Sequence, residues 1–130
     1  MKVVILAGGF GTRLAEETDL IPKPMVKIGP EPILIHIMRY YANFGHTEFL
    51  IALGYKSNIV IEYFKLNNYF HELGWNITLV DTGLDTSTGG RIKKLSDFLD
   101  QTFMLTYGDG LSNIDLDMLL DQHNVSGKLA

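Results

Sequence analysis

Residues 6–14 of the chain read LAGGFGTRL and combine residue types that bind phosphate. Three glycines within four positions leave the backbone amides bare and mobile enough to surround an anion, and Arg13 follows at once. Glycine-rich turns of this kind hold phosphates, so the segment predicts a nucleotide or phosphate-ester site. A plain glycine-rich turn between a strand and a helix has the same composition and is the alternative.

Lys23 stands between two prolines, Pro22 and Pro24. Because proline fixes its own backbone and restricts the residue before it, the sequence predicts an extended, non-helical arm that presents the lysine ammonium. A proline-rich turn with an incidental lysine is the alternative. Next to the glycine segment, phosphate binding is the favoured interpretation.

Asp109 lies between Gly108 and Gly110, where the sequence predicts the end of a strand. Small neighbours let a metal ion and a phosphate approach the carboxylate, and Mg²⁺ often takes only one or two carboxylates from protein. An aspartate in a tight turn is the common alternative.

A further polar segment, residues 82–91, offers hydroxyls and a glycine pair at a predicted helix start. This segment would contact the edge of a nucleotide base or bind an anion at the start of the helix. A solvent-exposed connecting loop is the alternative.

The elements that must position these segments alternate between strand and helix patterns. Apolar runs predict strands over residues 3–6, 49–53, 75–80 and 102–107. Helical spacing predicts four helices with these inward-facing residues: Ile33, Leu34, Ile37, Met38, Tyr41 and Phe44; Ile59, Tyr63, Leu66 and Phe70; Ile92, Leu95 and Phe98; Leu116, Leu119 and Leu120. Ser57 or Asn58 is expected to cap the second helix and Asp115 the last.

This alternation predicts an α/β fold: a Rossmann-like, three-layer α/β/α arrangement with a mainly parallel sheet, truncated after the fourth β-α unit. In such sheets ligands bind beyond the carboxyl ends of the strands, near the switch in strand order. The glycine segment, residues 82–91 and residues 108–110 all follow strands, so we expect them to meet around one ligand. Residues 128–130 resemble the start of another strand, which predicts a longer protein.

Composition excludes several classes of function. The chain of 130 residues contains no cysteine, which removes disulfides, thiolate metal sites and cysteine nucleophiles. A net charge of −4 without runs of like charge argues against a nucleic-acid surface. No signal peptide or bilayer-length apolar segment is visible, which predicts a cytoplasmic protein without a membrane partner. The four histidines, at positions 36, 46, 71 and 123, lack metal-ligand spacing and are interpreted as structural.

Taken together, these residues make the chain resemble the sugar-phosphate nucleotidyltransferases. The hallmark of that family is a strand followed by LAGGxGTRL, then PKP, then a strand-end aspartate; here these are residues 6–14, residues 22–24 and Asp109. Within the family the chain is similar above all to the glucose-1-phosphate cytidylyltransferases, through VDTG…TGGR in residues 80–91 and TYGDG at residues 106–110. It departs from them in a shorter connection at residues 71–74, and it does not contain the family's C-terminal half.

The resemblance implies a reaction of a nucleoside triphosphate with a sugar 1-phosphate, giving a nucleotide sugar and pyrophosphate. Here these would be CTP, glucose 1-phosphate and CDP-glucose, with Mg²⁺-assisted in-line attack of the sugar phosphate on the α-phosphorus. The resemblance also implies nucleotide-sugar biosynthesis of the kind that serves O-antigen or other polysaccharides. Residues 1–130 would be the N-terminal nucleotide-binding part, inactive alone and without the C-terminal sugar-binding part and its second metal-binding aspartate; a homo-oligomer is left open.

The same resemblance implies roles for individual residues. Arg13 would neutralise the leaving pyrophosphate, Lys23 would bridge the α-phosphate and the sugar phosphate, and Asp109 would bind the metal ion. The full set of expected nucleotide-binding residues is Leu6, Ala7, Gly8, Gly9, Gly11, Thr12, Arg13, Lys23, Thr86, Thr88, Gly89, Gly90, Arg91 and Gly108.

Two other functions are compatible with parts of this pattern. A non-catalytic, nucleotide-binding regulatory domain would keep the glycine segment, but it would not need Arg13, Lys23 and Asp109 together. A dinucleotide-dependent oxidoreductase predicts a carboxylate at the end of the second strand, where residues 54–56 instead read GYK.

Overall fold

The structure, a computed structural model, describes residues 1–9 and 20–130 as an alternation of strands and helices. Strand β1 (Lys2–Ala7) precedes a small antiparallel hairpin of β2 (Lys27–Ile28) and β3 (Glu31–Pro32). There follow α1 (Ile33–Asn43), β4 (Glu48–Leu53), α2 (Ser57–Leu66), β5 (Asn76–Asp81), α3 (Thr88–Lys94), β6 (Met104–Tyr107) and α4 (Leu116–Ser126). Short 3₁₀ helices occupy Lys23–Met25, Asn68–His71 and Ser96–Phe98.

The main sheet has the strand order β5-β4-β1-β6, and its neighbouring strands all run parallel. β1 lies in the interior, where Val3 pairs with Phe49 on one side and with Met104 on the other. The chain moves outward from β1 through β4 to β5 and then returns to the other side of β1 with β6. The strand order therefore reverses between β1 and β6, which marks the place where open α/β sheets bind ligands.

Alternate residues of β1 face two different layers, as a strand covered on both sides requires. Val3 and Ile5 belong to a cluster with buried residues of α1, α2 and α4. Val4 and Leu6 belong to a second cluster, which includes Leu95 at the C-terminal end of α3. The predicted three-layer α/β/α fold with a mainly parallel sheet is therefore confirmed for the part of the chain that the structure describes.

The predicted helix cap is confirmed at α4 and is wrong at α2. The Asp115 side chain accepts hydrogen bonds from two backbone amides in the first turn of α4, as expected for a cap. At α2 the capping position is Lys56, which has a left-handed φ of 50° and no side-chain cap bond, so neither Ser57 nor Asn58 is the cap. A left-handed residue at this point turns the chain sharply out of β4, a change that apolar spacing does not reveal.

Three residues expected to face inward do not. α2 ends at Leu66, which is 75% exposed, because Asn67 leaves helical geometry with φ of −118° and ψ of 63°. Phe70 is buried as expected, although it belongs to the following 3₁₀ turn rather than to the helix. Phe98 and Leu119 are 41% and 46% exposed. Periodicity identifies the apolar face of a helix, but it does not show how much of that face a neighbouring layer covers.

Residues 10–19 lie outside the described residues, and with them the expected site residues Gly11, Thr12 and Arg13. No helix in residues 1–9 and 20–130 combines the length and the apolar character that a bilayer span requires.

Candidate active site

An open cavity of about 640 Å³ lies at the carboxyl ends of β1 and β6, where the strand order reverses. The chain leaves β1 through Gly8 and Gly9, and it leaves β6 through Gly108 and Asp109. The connection between β5 and α3 contributes residues 84–88 to the lining. The described parts of the three segments singled out in the sequence thus meet around one cavity.

Lys23 and Asp109 form an ion pair at this cavity. The Lys23 ammonium lies 2.6 Å from the Asp109 carboxylate, and the two side chains are 25% and 30% exposed. Both residues line the cavity. Because both charges remain partly solvated, each can exchange its present partner for a ligand without disrupting the core.

The turn that positions Lys23 differs from the prediction. Pro22 is extended, with φ of −67° and ψ of 147°, but Lys23–Met25 forms one turn of 3₁₀ helix. The turn is closed by the Met25 amide, which donates to the Pro22 carbonyl at 2.8 Å. The expected extended arm is therefore wrong at the lysine itself. Proline is tolerated in the first turn of a helix, where its missing amide would have no partner, so Pro24 fits and is buried beneath the cavity.

Gly108 lets the end of β6 approach both β1 and the Lys23 turn. A Cβ atom at Gly108 would lie 3.2 Å from the Pro24 side chain and 3.3 Å from the Ala7 side chain. Its amide donates to a carbonyl of β1 at 2.9 Å. The residue is buried beside the cavity, and its lack of a side chain sets the position of the aspartate that follows.

The loop between β5 and α3 is anchored at both ends. At its start Thr82 is buried, and its hydroxyl donates to the Leu53 carbonyl at 2.7 Å. At its end the Ser87 hydroxyl caps α3 by accepting a hydrogen bond from the Gly90 amide at 3.2 Å. Because both ends of the loop are held by hydrogen bonds, residues 84–88 reach the cavity in a fixed position. They present hydroxyls and a carboxylate to it.

Arg91 of α3 is almost completely buried, with 5% of its surface exposed. Its guanidinium donates to the Gly8 carbonyl at 2.9 Å, the Leu53 carbonyl at 3.2 Å and the Gly83 carbonyl at 2.8 Å. Burial lowers the pKa of Arg91 from its ordinary value, against the opposite effect of the Asp81 carboxylate. Sequence analysis placed this residue beside the nucleotide but missed its contacts to three strand ends, which no local motif signals.

The expected nucleotide-binding residues fall into three groups. Those that line the cavity are Leu6, Ala7, Gly8, Gly9, Lys23, Thr86, Thr88, Arg91 and the expected metal ligand Asp109. Gly89, Gly90 and Gly108 are neighbours of lining residues, whereas Gly11, Thr12 and Arg13 are among residues 10–19. The lining also includes Pro24, Leu84, Asp85, Ser87 and Tyr107, which belong to segments singled out in the sequence but were not chosen as individual binding residues.

Asp109 is the one residue that the sequence analysis assigned to a metal ion. The described residues contain no group of three or more histidine, aspartate or glutamate side chains that could hold a metal. A single, partly exposed carboxylate at a cavity nevertheless fits the common Mg²⁺ arrangement, in which phosphates and water complete the shell. His36 instead contacts the Ile28 carbonyl through Nε2 at 2.8 Å, a contact within the fold and outside the cavity lining.

The sequence profile of the family described as nucleotidyl transferase matches residues 2–129. The chain belongs to this nucleotidyltransferase family. It is 44% identical over 152 aligned positions to the glucose-1-phosphate cytidylyltransferase of Salmonella typhimurium. It is 45% identical over 148 positions to a protein of Bacillus subtilis (strain 168) named as a glucose-1-phosphate cytidylyltransferase. All of this chain is covered in both alignments, and the chain spans 58% of the length of each relative.

Both alignments contain more positions than the 130 residues of this chain, so each relative carries at least one segment that the chain lacks. Such a difference agrees with the short connection expected from the sequence, in which residues 71–74 lead from a 3₁₀ turn almost directly into β5.

Solved structures share the fold of this chain. HddC from Yersinia pseudotuberculosis, solved as a complex with GMP-PN, matches with a TM-score of 0.82 and 30% identity, over 94% of this chain and 53% of that one. A UDP-glucose pyrophosphorylase solved with UDP-glucose matches with a TM-score of 0.76 and 19% identity, over 97% of this chain and 54% of that one. At the lower identity the likeness shows the fold alone.

Proposed function

We propose that this chain forms the nucleotide-binding part of an enzyme that joins a nucleoside triphosphate and a sugar 1-phosphate into a nucleotide sugar and releases pyrophosphate. The observation that carries the proposal is the Lys23–Asp109 ion pair of 2.6 Å, which lies beside Gly8 and Gly9 at the switch in strand order. A cation, a carboxylate and backbone amides near a glycine turn are the groups that a triphosphate and its metal ion require. Membership of the nucleotidyltransferase family supports the same interpretation.

The proposed catalysis consists of positioning and charge stabilisation, because the sugar phosphate is itself the nucleophile. One of its oxygens attacks the α-phosphorus in line. The bond between the α-phosphorus and the bridging oxygen breaks, and pyrophosphate leaves with that electron pair. Amides of the glycine segment, including Gly8 and Gly9, hold the phosphates. Lys23 neutralises charge on the α-phosphate and on the incoming sugar phosphate, and Arg13 is assigned to the leaving pyrophosphate.

Asp109 is assigned as a ligand of Mg²⁺, which when bound supplies Lewis-acid stabilisation of phosphate charge. Its carboxylate is now neutralised by Lys23. When a triphosphate enters the cavity, its negative charge competes for the lysine ammonium and frees the carboxylate. The ion pair therefore keeps both groups in place until the nucleotide binds.

The substrates that we assign are CTP and glucose 1-phosphate. The assignment rests on the cytidylyltransferase-like residues 80–91 and 106–110 and on the names of the relatives at 44% and 45% identity. Residues 84–88 line the cavity, so the loop between β5 and α3 is assigned to the base and the ribose. The cellular setting that follows is cytoplasmic nucleotide-sugar biosynthesis of the kind that serves O-antigen or other polysaccharides.

The contacts to the sugar are proposed to come from residues outside this chain. Curated relatives are longer, since the chain spans 58% of their length. β6 is an edge of the described sheet, and its Leu105 and Tyr107 are 45% and 59% exposed. On α4, Met118 and Leu119 are 69% and 46% exposed. Exposed apolar residues on an edge strand and on a helix suit cover by further structure of the same protein.

The proposal is tested on the full-length protein that contains these residues. Thermal unfolding is followed with Mg²⁺ and each of CTP, UTP, GTP, ATP and dTTP, and pyrophosphate release is measured with glucose 1-phosphate. We expect selective stabilisation by CTP, because a ligand that binds only the folded state raises its stability, together with pyrophosphate release. Nucleotide binding without pyrophosphate release would favour the regulatory-domain alternative. Stabilisation by none of the nucleotides would contradict a nucleotide site.

A further inference from the structure

Arg91 connects the loops on which the proposed nucleotide site is built. Its acceptors among the described residues are the carbonyls of Gly8, Leu53, Gly83 and Leu84 and the hydroxyl of Thr82. They belong to the turn after β1, the end of β4 and the loop after β5. One side chain therefore ties together the two loops assigned to the phosphates and to the base.

Two glycines make room for the guanidinium. A Cβ atom at Gly8 would overlap Arg91 Nη1. A Cβ atom at Gly54 would lie 2.5 Å from Arg91 Nη1 and 2.6 Å from the Gly8 carbonyl oxygen. Real Cβ atoms essentially never approach other atoms so closely, so both positions require glycine while the arginine keeps its place. Gly8 therefore serves a second purpose besides exposing its amide, which is to admit the arginine.

Among the described residues, the positive charge of Arg91 is stabilised by backbone carbonyl groups rather than by a paired carboxylate. Within residues 1–9 and 20–130 it has no carboxylate at ion-pair distance, in contrast to Lys23 and Arg39. The rigid guanidinium fork suits contacts to several carbonyls at once, and with 5% exposure its bonded N–H groups point into the protein. We infer that Arg91 is a positioning residue, which fixes the glycine turn against the loop after β5 and so sets the spacing between the nucleotide's phosphates and its base.

The bond to Gly8 also fixes the direction of the next amide. In a trans peptide the carbonyl and the following N–H point in opposite directions. With the Gly8 carbonyl directed at Arg91, the Gly9 N–H points away from the guanidinium, and Gly9 lines the cavity. The same carbonyl accepts a hydrogen bond from the Tyr55 amide at 3.3 Å, so two donors hold this peptide.

This inference rests on the proposed function for its nucleotide part, so its test has two readouts. Arg91→Met removes the fork and keeps an apolar stem, and Lys93→Met removes a positive charge from an exposed position of the same helix as the control. In amide hydrogen exchange without nucleotide, Arg91→Met is expected to speed exchange at Tyr55, whose amide donates to the Gly8 carbonyl, while Val4 in β1 stays protected. Affinity for Mg²⁺–CTP is expected to fall by about 10- to 100-fold in Arg91→Met, since small misplacements cost on this order. Lys93→Met should change neither readout.

Two more variants separate geometry from charge. Arg91→Lys keeps the charge but loses the fork, so it is expected to behave like Arg91→Met. In Gly54→Ala the added methyl group would displace both the Arg91 guanidinium and the Gly8 carbonyl that it binds, so this variant should weaken Mg²⁺–CTP binding in the same way. These two variants decide the question if Arg91→Met does not fold.

Wild-type affinity in Arg91→Lys or in Gly54→Ala, or unchanged exchange in Arg91→Met, would overturn the positioning role. If the wild-type protein binds no nucleotide, the proposed function fails and with it the nucleotide part of the inference. The exchange measurement would still decide whether Arg91 holds the two loops.

Discussion

Arg91 at the cavity and Arg39 on α1 are held in opposite ways. Arg39 donates to both carboxylate oxygens of Glu31, at 2.9 and 2.7 Å, and its guanidinium lies 5.8 Å from the centroid of the Trp75 ring. The hydrogen bonds that Arg39 donates to Glu31 raise the pKa of Arg39, whereas burial lowers the pKa of Arg91. A cation neutralised by a carboxylate adds to packing and leaves little charge for a ligand. A cation surrounded by carbonyls instead holds together the segments that carry those carbonyls.

The surroundings of the two arginines also differ: Arg39 lies beside packed aromatic rings, whereas Arg91 lies beside an open cavity. Near Arg39 the rings of Phe70 and Trp75 stack with centroids 5.2 Å apart and an interplanar angle of 13°, and Phe49 packs edge-on against Trp75. At the cavity the lining mixes glycines, hydroxyls and charged groups with a few apolar side chains, and it contains no cluster of stacked rings among the described residues. We call the first area, residues Glu31, Arg39, Phe49, Phe70 and Trp75, the aromatic region. The comparison predicts that changes in the aromatic region alter stability and that changes at the cavity alter ligand binding.

The largest effect on stability is expected from Phe70→Ala. Phe70 is 1% exposed and stacks on Trp75, so its truncation should lower the free energy of unfolding by about 3–5 kcal/mol through lost contacts and a cavity. Denaturation in urea measures the loss, and Leu66→Ala, at a position 75% exposed, is the control. An equal loss of nucleotide affinity in the folded Phe70 variant would show that the two areas are coupled and would break the comparison.

The second effect belongs to the cavity. Lys23→Ala in the full-length protein should lower turnover by about 100- to 1000-fold, because a charge-stabilising group is removed while the fold survives. Steady-state pyrophosphate release measures the change. Lys27→Ala, on the exposed hairpin strand β2, is the matched control. A near-normal rate in Lys23→Ala would remove the lysine from the proposed mechanism.

Much of the fold and part of the cavity could be predicted from the sequence alone. The glycine turn and Asp109 were predictable because each directly follows an apolar run, and parallel strands bring such ends to one edge of the sheet. Val3 and Val4 read as a strand buried on both faces, and the structure has them fully buried. Local signals of this kind sufficed for the fold and for most of the described cavity.

The remaining features depend on contacts between distant residues. The left-handed backbone at Lys56 and the end of α2 at Leu66 are changes of backbone angle, which the spacing of apolar residues does not reveal. The 3₁₀ turn at Lys23 contradicts the expectation from its prolines because Pro24 occupies a position that tolerates it. The role of Arg91 needs Gly8 and Gly54 on two other strand ends, which only the folded chain brings together.

A smaller effect is expected from Arg39→Met. The Arg39–Glu31 pair is partly exposed, with side-chain exposures of 40% and 22%, so its loss should cost no more than about 1 kcal/mol. A double-mutant cycle with Glu31→Gln isolates the pair, and Mg²⁺–CTP affinity should stay unchanged in every member of the cycle. A change in affinity would place Arg39 in the binding machinery and contradict the comparison.

The smallest effect is the pH dependence of that pair. The hydrogen bond from Arg39 holds the pKa of Glu31 below its ordinary value of 4.5. A depressed carboxyl pKa contributes stability that is complete above the ordinary value and is lost as the pH falls through the folded-state value. The difference in unfolding free energy between wild type and Glu31→Gln should therefore be constant near neutral pH and shrink below about pH 4.5, as measured in urea. A difference that grows in acid would contradict the sign.

The strand order has a consequence for how this chain folds during synthesis. β1 is translated first, yet one of its two neighbours, β6, begins only at Met104. At about 5–20 residues per second, translation separates these two strands by roughly 5–20 seconds. Throughout that interval the run from Val3 to Leu6 keeps one edge without its partner strand, and an unpaired apolar edge of this kind favours aggregation of the incomplete chain.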